Sequence, residues 1–324
     1  MKANGRFNGL ADPLCDLPKV EGELLRRVRS GDPHLEKMAR YTLQAGGKRL
    51  RPALALLAYR AVGGDDVDSL LPLAAAYELV HSATLIHDDI NDGAPVRRGR
   101  PTLAQEFGPA SAIVAGDYLF VKGYEVCGRY GEEIIRVTAE ACTALAEGQI
   151  LELRNVRNLD MGERTYHRII ARKTAAPLAA GARAGAILGG GTPRQVEGLA
   201  AYGHHLGMAF QITDDLLDVA GDPDALGKPV GQDLAHGVLT LPILYGLRHG
   251  SAGDRRLIRK ALAGPPTPAA QQAGLAAVRR SGGVEHSRLA ARRHARAAIE
   301  VLPPGLRYRE HLEKMVDSIV TRLK

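Results

Sequence analysis

Apolar residues along this chain recur at helical spacing, and β-branched runs are scarce, so the pattern predicts helices from end to end. Residues 1–19 are polar, with Gly5, Gly9, Pro13 and Pro18, and read as a loose arm. Helices are expected from Val20 to Arg29 and from His34 to Leu43, the second ended by Gly46-Gly47. Leu54, Leu56 and Leu57 continue a buried helix to the turn at Gly63-Gly64-Asp65-Asp66. A long helix is predicted from Ser69 to Asp92, with Pro72 in its first turn and Gly93 and Pro95 as its stop. Further helices are expected over 110–124, 132–155, 166–188 and 196–219. The stretch GDPDALGKPVGQDLAHGVLTLP that follows reads as an ordered loop, and residues 243–324 read as helices broken at Gly264-Pro265-Pro266 and Pro303-Pro304.

Composition supports this picture. Aromatic residues make up 4% of the 324 residues and Trp is absent, while Ala, Leu, Arg and Gly abound, which suits an all-α protein whose helices pack through small side chains. The formal charge of +7 is spread through helical segments or gathered near glycine motifs, a balance that suits small anionic ligands. No aromatic platform or recognition motif accompanies it, so no nucleic-acid partner is expected. Cys15, Cys127 and Cys142 have neither metal-ligand spacing nor a disulfide framework, which predicts a reducing, cytoplasmic setting. No run approaches 18 uninterrupted apolar residues and the N-terminus has no apolar signal core, so stable membrane insertion is not expected.

The candidate chemistry lies at the end of the long helix, in HSATLIHDDINDGAPVRRGRP. Asp88 and Asp92 stand at i and i+4, roughly 6 Å apart on one face, beside Asp89. Like charges so placed repel unless a cation sits between them, and an all-oxygen set suits Mg²⁺, which shares its shell with water and phosphate. A solvated acidic helix end is the plainer alternative. A second cluster, Asp214, Asp215 and Asp218 in FQITDDLLDVAGD, weakens that alternative, because both clusters sit in apolar helical sequence where unpaired carboxylates are costly. Facing one another, the two would grip a metal-bound diphosphate. Cations for phosphate stand nearby: Lys48 and Arg51 after Gly46-Gly47, Arg97 and Arg98 after the first cluster, and Lys228 in the glycine-rich loop. His81 lies two turns before Asp88 and Gln211 one turn before Asp214, each on the acidic face. Gly116-Asp117, Glu147-Gly148-Gln149 with Glu152, and Lys173-Thr174 are weak signals taken singly.

Taken together and in this order, the motifs GGKRLRP, HDDINDGAPVRRGRPT, the GD pair at Gly116, EGQ at Glu147, KTA at Lys173, QITDDLLD and GKPVGQDL resemble the all-trans polyprenyl diphosphate synthase family over nearly the whole chain. The resemblance implies an isoprenoid synthase fold, a single large antiparallel helical bundle around a central cavity, with residues 1–324 as one domain and a homodimer as the assembly. It implies condensation of an allylic diphosphate with isopentenyl diphosphate, dependent on Mg²⁺, with three ions when substrate is bound. The metal set would be Asp88, Asp92 and Asp214, with Asp215 and Asp218 and, less directly, Asp89 in support. Arg97, Lys173, Thr174, Gln211 and Lys228 would hold the allylic diphosphate, and Lys48, Arg51, His81 and Arg98 isopentenyl diphosphate. Two positions depart from the family pattern: Ala94 stands where Ser is usual and Val238 where Lys is usual. The second removes a cation and raises the rival reading of a weakly active or regulatory subunit of a heteromeric synthase, against which the intact aspartates argue. A terpene cyclase has no use for the second diphosphate site of GGKRLRP and Arg98.

Product length follows from the helix before Asp88. Thr84 and Ala83 lie one turn below it, roughly 5 to 8 Å along the axis, where short-product relatives carry an aromatic ring. Both are small here, and the next bulky side chain is Tyr77, so a hexaprenyl to decaprenyl product is expected. Geranylgeranyl diphosphate is the alternative, should Phe120 and Tyr124 close the tunnel from another helix.

Overall fold

A computed structural model describes residues 13–222, 230–264 and 266–321. The chain is all-α apart from one two-residue hairpin among the described residues, β1 (Val96–Arg97) against β2 (Arg100–Pro101). The helices of its first two thirds are α1 (Leu17–Arg27), α2 (Pro33–Gln44), α3 (Leu50–Ala61), α4 (Val67–Asn91), α5 (Leu103–Phe107), α6 (Pro109–Cys127), α7 (Glu132–Leu153), α8 (Glu163–Ile170), α9 (Ala176–Leu188) and α10 (Pro193–Ala220). A short helix, Gln232–His236, and further helices from Leu241 to Val320 follow, with breaks at Gly264 and Pro303.

Three boundaries correct the sequence reading. Helix α1 begins at Leu17 with Pro18 in its first turn, and Leu14 and Asp16 before it are buried, so the stretch from 13 to 19 is no loose arm. Helix α4 begins at Val67, capped by the Asp66 side chain on the Asp68 N–H, which puts Pro72 in the second turn. Pro72 removes only the bond to the Asp68 carbonyl, and Asp68 is exposed, so water can take the vacated acceptor. The expected helix over 166–188 is continuous, but Ala171–Ala175 winds as a π-helical turn.

The chain divides into two compact units, with boundaries inside α7, α9 and α10. The first unit comprises Met1–Glu140, Ala180–Ala200 and Pro303–Leu312. Its core contains Leu54, Leu56, Leu57, Leu70, Leu73, Leu79 and Leu119, none of them measurably exposed. Helix α4 lies against α6 at two glycines seven residues apart: a Cβ on Gly116 would strike the His87 ring at 2.2 Å, and one on Gly123 would strike Val80 at 2.7 Å. The glycine of the Gly-Asp pair is therefore explained by close helix approach. In the second unit, Ala141–Ala179, Ala201–Leu302 and Glu313–Lys324, the core gathers Tyr166, Ile170, Met208, Ile212, Leu241, Leu244, Ile258 and Val278.

Candidate active site

The first unit presents an acidic helix end facing a cationic loop. Asp92 caps α4, its N–H bonded to the Asp88 carbonyl at 2.9 Å, and Gly93 follows with φ 59. The hairpin then turns through Arg98-Gly99, both with positive φ (53 and 74), the geometry of a two-residue type I′ turn. It carries both arginines back toward α4. Arg97 Nε donates to Asp89 Oδ1 at 2.6 Å. The Arg98 guanidinium lies on Gly47, where a Cβ would fall 2.8–3.0 Å from its atoms. Asp89 is 5% exposed and its carboxyl is pushed up by burial, with Arg97 opposing; Asp88 and Asp92 remain accessible. Asp89 thus anchors the hairpin to α4.

Sequence reasoning missed what holds the glycine loop in place. Arg49, 6% exposed and left-handed at φ 49, donates to Glu21 at 2.6 and 3.0 Å, to Glu78 at 2.7 Å and to the Leu43 carbonyl at 2.8 Å. Burial works against its charge, but Glu21 and Glu78 outweigh this and hold the guanidinium above its ordinary value. Arg49 is thus held within the protein, between Lys48 and Arg51 in the sequence. His81, two turns before Asp88, is held far below the usual imidazole range, first by burial and then by Arg51, Arg98, Arg97 and Arg49. A neutral histidine held near several guanidinium groups marks surroundings that favour an anion over a further cation.

The second unit holds the other acidic centre. A Cβ on Gly148 would meet Lys173 N at 2.7 Å and Arg172 Cβ at 2.9 Å, so the EGQ and KTA motifs are one packing device: the glycine of α7 seats the π turn. Lys173 Nζ contacts Glu152 at 3.0 and 3.2 Å, and Arg172 pairs with Glu147 at 3.3 Å. The Thr174 hydroxyl donates to Gln211 Oε1 at 2.7 Å, and Gln211 Nε2 donates to Asp215 Oδ1 at 2.8 Å. Gln149 Oε1 is buried without a hydrogen-bond partner among the described residues.

The three aspartates of this centre have distinct environments. Asp214 is partly accessible. Asp215 is buried, accepts from the Tyr166 hydroxyl at 2.6 Å as well as from Gln211, and is pushed up to about 7 by burial with Asp214 and Glu152 adding to the effect. Asp218 accepts the Gln232 and Asp233 N–H groups at 3.1 and 3.0 Å, capping the helix Gln232–His236. Each oxygen of Asp215 and of Asp218 therefore accepts a hydrogen bond within the protein, which ties these two carboxylates into the structure around Asp214. Among the described residues no group of three or more His, Cys, Asp or Glu side chains converges to hold a metal alone. The accessible donors, Asp88, Asp92 and Asp214, are all oxygen and fit Mg²⁺, which takes the rest of its shell from water and phosphate.

Lys228 lies outside the described residues. Val238, at the close of the same loop, is partly exposed, its N–H bonded to the Asp233 carbonyl at 2.8 Å, and it has no place in the buried core. Val238→Lys is accordingly expected to lower the Michaelis constant for the allylic diphosphate severalfold at fixed Mg²⁺. An unchanged or higher constant would show that a cation at this position does not reach the substrate. On α4, Ala83 is fully buried and Thr84 partly accessible, its hydroxyl bonded to the His81 carbonyl. Tyr77 is fixed by hydrogen bonds to Thr138 Oγ1 at 3.1 Å and to the Ala180 carbonyl at 3.2 Å. Phe120 and Tyr124 stack on α6 at 5.4 Å.

Comparison with known proteins agrees with this chemistry. Residues 32–277 match the family model described as Polyprenyl synthetase. The chain is 40% identical over 254 residues to an octaprenyl diphosphate synthase of Haemophilus influenzae, covering 78% of this chain and 76% of that protein. It is 40% identical over 296 residues to a short chain isoprenyl diphosphate synthase of Methanothermobacter thermautotrophicus, covering 89% and 90%. A polyprenyl synthase of Caulobacter crescentus, crystallised with calcium and isoprenyl diphosphate, superposes with a TM-score of 0.92 at 32% identity, covering 99% of each chain.

Proposed function

Since this chain belongs to the polyprenyl synthetase family, we propose that it adds successive isopentenyl diphosphates to an allylic diphosphate, with Mg²⁺, and makes a medium-to-long all-trans polyprenyl diphosphate. It is a prenyltransferase, acting as a single synthase domain. The observation that carries the reading is the presence of two separate anion-binding centres, each pairing accessible carboxylate with cation: Asp88, Asp92, Lys48, Arg51 and Arg98 in one, Asp214 and Lys173 in the other. A transferase that joins two diphosphates needs both.

Asp88 and Asp92, and Asp214, would hold Mg²⁺, for which we adopt a count of three from the family resemblance. When bound, Mg²⁺ neutralises charge on the departing diphosphate. Lys173, Thr174 and Gln211 orient the allylic diphosphate, and breaking its C–O bond leaves diphosphate and an allylic cation. Lys48, Arg51 and Arg98 hold isopentenyl diphosphate, with neutral His81 adding a hydrogen bond and no charge. The alkene of isopentenyl diphosphate forms the new C–C bond at the cation, and a proton leaves, for which the released diphosphate is the acceptor we favour. Apolar side chains around the site exclude the water that would otherwise quench the cation.

Small side chains at Ala83 and Thr84 support a long product, with the fixed ring of Tyr77 further down α4 as the floor. Ala83→Phe is expected to shorten the main product by at least two isoprene units, read by chromatography of dephosphorylated products. Equal chain lengths would remove Ala83 from the tunnel and leave geranylgeranyl diphosphate as the competing assignment for the wild type. We further propose a homodimer joined through α6, where Ile113, Val114 and Val121 are 46%, 56% and 63% exposed. Light scattering should give twice the chain mass for the wild type and the single mass for Val114→Glu/Val121→Glu; a monomeric wild type contradicts this. Cys15, Cys127 and Cys142 form no disulfide, and Cys15 is exposed, which fits the reducing cytoplasm that we assign as its location.

A further inference from the structure

One basic face of the second unit is not used by the chemistry above. In the second unit, the helix Gly283–Glu300 and α8 meet through His286 Nε2 and Glu163 Oε2, 3.3 Å apart, and through the rings of His294 and His167, 6.3 Å between centroids. The outer faces of these two helices carry Arg164, Arg168, Arg292, Arg293 and Arg296, all exposed, and none has an ion-pair partner among the described residues. Their acidic neighbours are mostly spent: Glu163 on His286, and Glu285 on Arg288 at 2.6 Å. Only Glu300, at the helix end, opposes them on the same stripe. Within that stripe Leu289 is 47% exposed, one turn before Arg292 and Arg293.

We infer that this face docks the enzyme on an anionic phospholipid surface. Unpaired guanidinium groups in a line, with an apolar side chain among them and no exposed aromatic ring for base stacking, match a lipid headgroup layer better than a nucleic acid. Arginine forks bind phosphate in pairs of hydrogen bonds, and Leu289 is placed to enter the headgroup boundary. A cluster of imidazoles backs the arginines: His205 Nδ1 lies 3.1 Å from His294 Nδ1, and His294 is lowered to about 4 by burial and then by its histidine neighbours. These imidazoles therefore stay neutral around pH 7, and the positive charge of the face comes from the arginines. Docking of this kind is peripheral and inserts no helix. It rests on the functional reading only in motive, since a long prenyl product is itself bound for a membrane.

The test is sedimentation of the full chain with phosphatidylcholine vesicles, with and without phosphatidylglycerol. The expected result is binding to the anionic vesicles alone, weakened by salt, and reduced about a hundredfold in Arg292→Glu/Arg293→Glu/Arg296→Glu, at about fivefold or more for each arginine lost. Prenyl transfer by that variant in vesicle-free solution should match wild type, which shows it folded; Leu289→Ser, a milder change, should weaken vesicle binding with the arginines intact. Failure of wild type to bind anionic vesicles, equal binding by the triple variant, or binding of single-stranded RNA in place of vesicles would overturn the inference. Vesicle binding is read without turnover, so its failure leaves the assigned reaction untouched.

Discussion

Asp88→Ala and Asp214→Ala are each expected to lower turnover by about a thousandfold or more, on the order of 4 kcal/mol of lost transition-state stabilisation. Both side chains are accessible carboxylates, in centres where negative charge is already crowded. Removing either should change the melting temperature far less than it changes turnover, because like charges are thinned at a partly exposed position. Asp218→Ala should behave in the opposite way. Its carboxylate caps the helix Gln232–His236 through two backbone N–H groups, and losing a cap costs about 0.5–2 kcal/mol. Steady-state rates with thermal melts on all three variants separate the roles; full activity in both Asp88→Ala and Asp214→Ala would remove them from the metal set.

Glu78→Ala is expected to destabilise the fold by about 3 kcal/mol, the lower end of the range for stranding a buried charge. Arg49 would lose its buried partner, 3% exposed in the side chain, but keep Glu21, whose side chain is 45% exposed and so screened by water. The same change should raise the Michaelis constant for isopentenyl diphosphate, because Arg49 fixes the loop whose Gly47 supports Arg98 and whose neighbours are Lys48 and Arg51. Replacing both members, Arg49→Met with Glu78→Met, should recover most of the stability and little of the affinity. Denaturant unfolding reads the first quantity and initial rates the second. A Glu78→Ala protein as stable as wild type would mean that the buried pair does not hold the loop.

What was legible in the sequence was periodic or local. Helix α4, the aspartates at its end and the glycine stops all follow from spacing within one turn or two, and the structure moves their boundaries by only a few residues. Leu54, Leu56 and Leu57 are buried as their pattern required. What escaped depends on contacts distant in sequence. Arg49 pairs with residues 28 and 29 positions away, and its neighbours Lys48 and Arg51 look the same on paper. Likewise Asp214, Asp215 and Asp218 are equivalent as letters. Their burial is set by Tyr166, 49 positions from Asp215, and by backbone N–H groups 14 and 15 positions beyond Asp218. The π turn at Ala171–Ala175 has no signature of its own, and the glycine packed against it, Gly148, is on another helix. The hairpin was more accessible: Arg98-Gly99 between short extended pairs is a two-residue turn, weaker in signal than Asn-Gly because arginine resists positive φ.

In the proposed reaction two diphosphates are joined with the help of Mg²⁺ held by accessible aspartates. Incubating the purified chain with labelled isopentenyl diphosphate, an allylic primer and Mg²⁺, then separating the products by chain length, tests it most directly. The expected result is label in a hexaprenyl to decaprenyl product, abolished by EDTA, restored by Mg²⁺ and lost in Asp88→Ala. No incorporation by the wild type, incorporation indifferent to EDTA, or a cyclic hydrocarbon formed from the allylic diphosphate alone would contradict it.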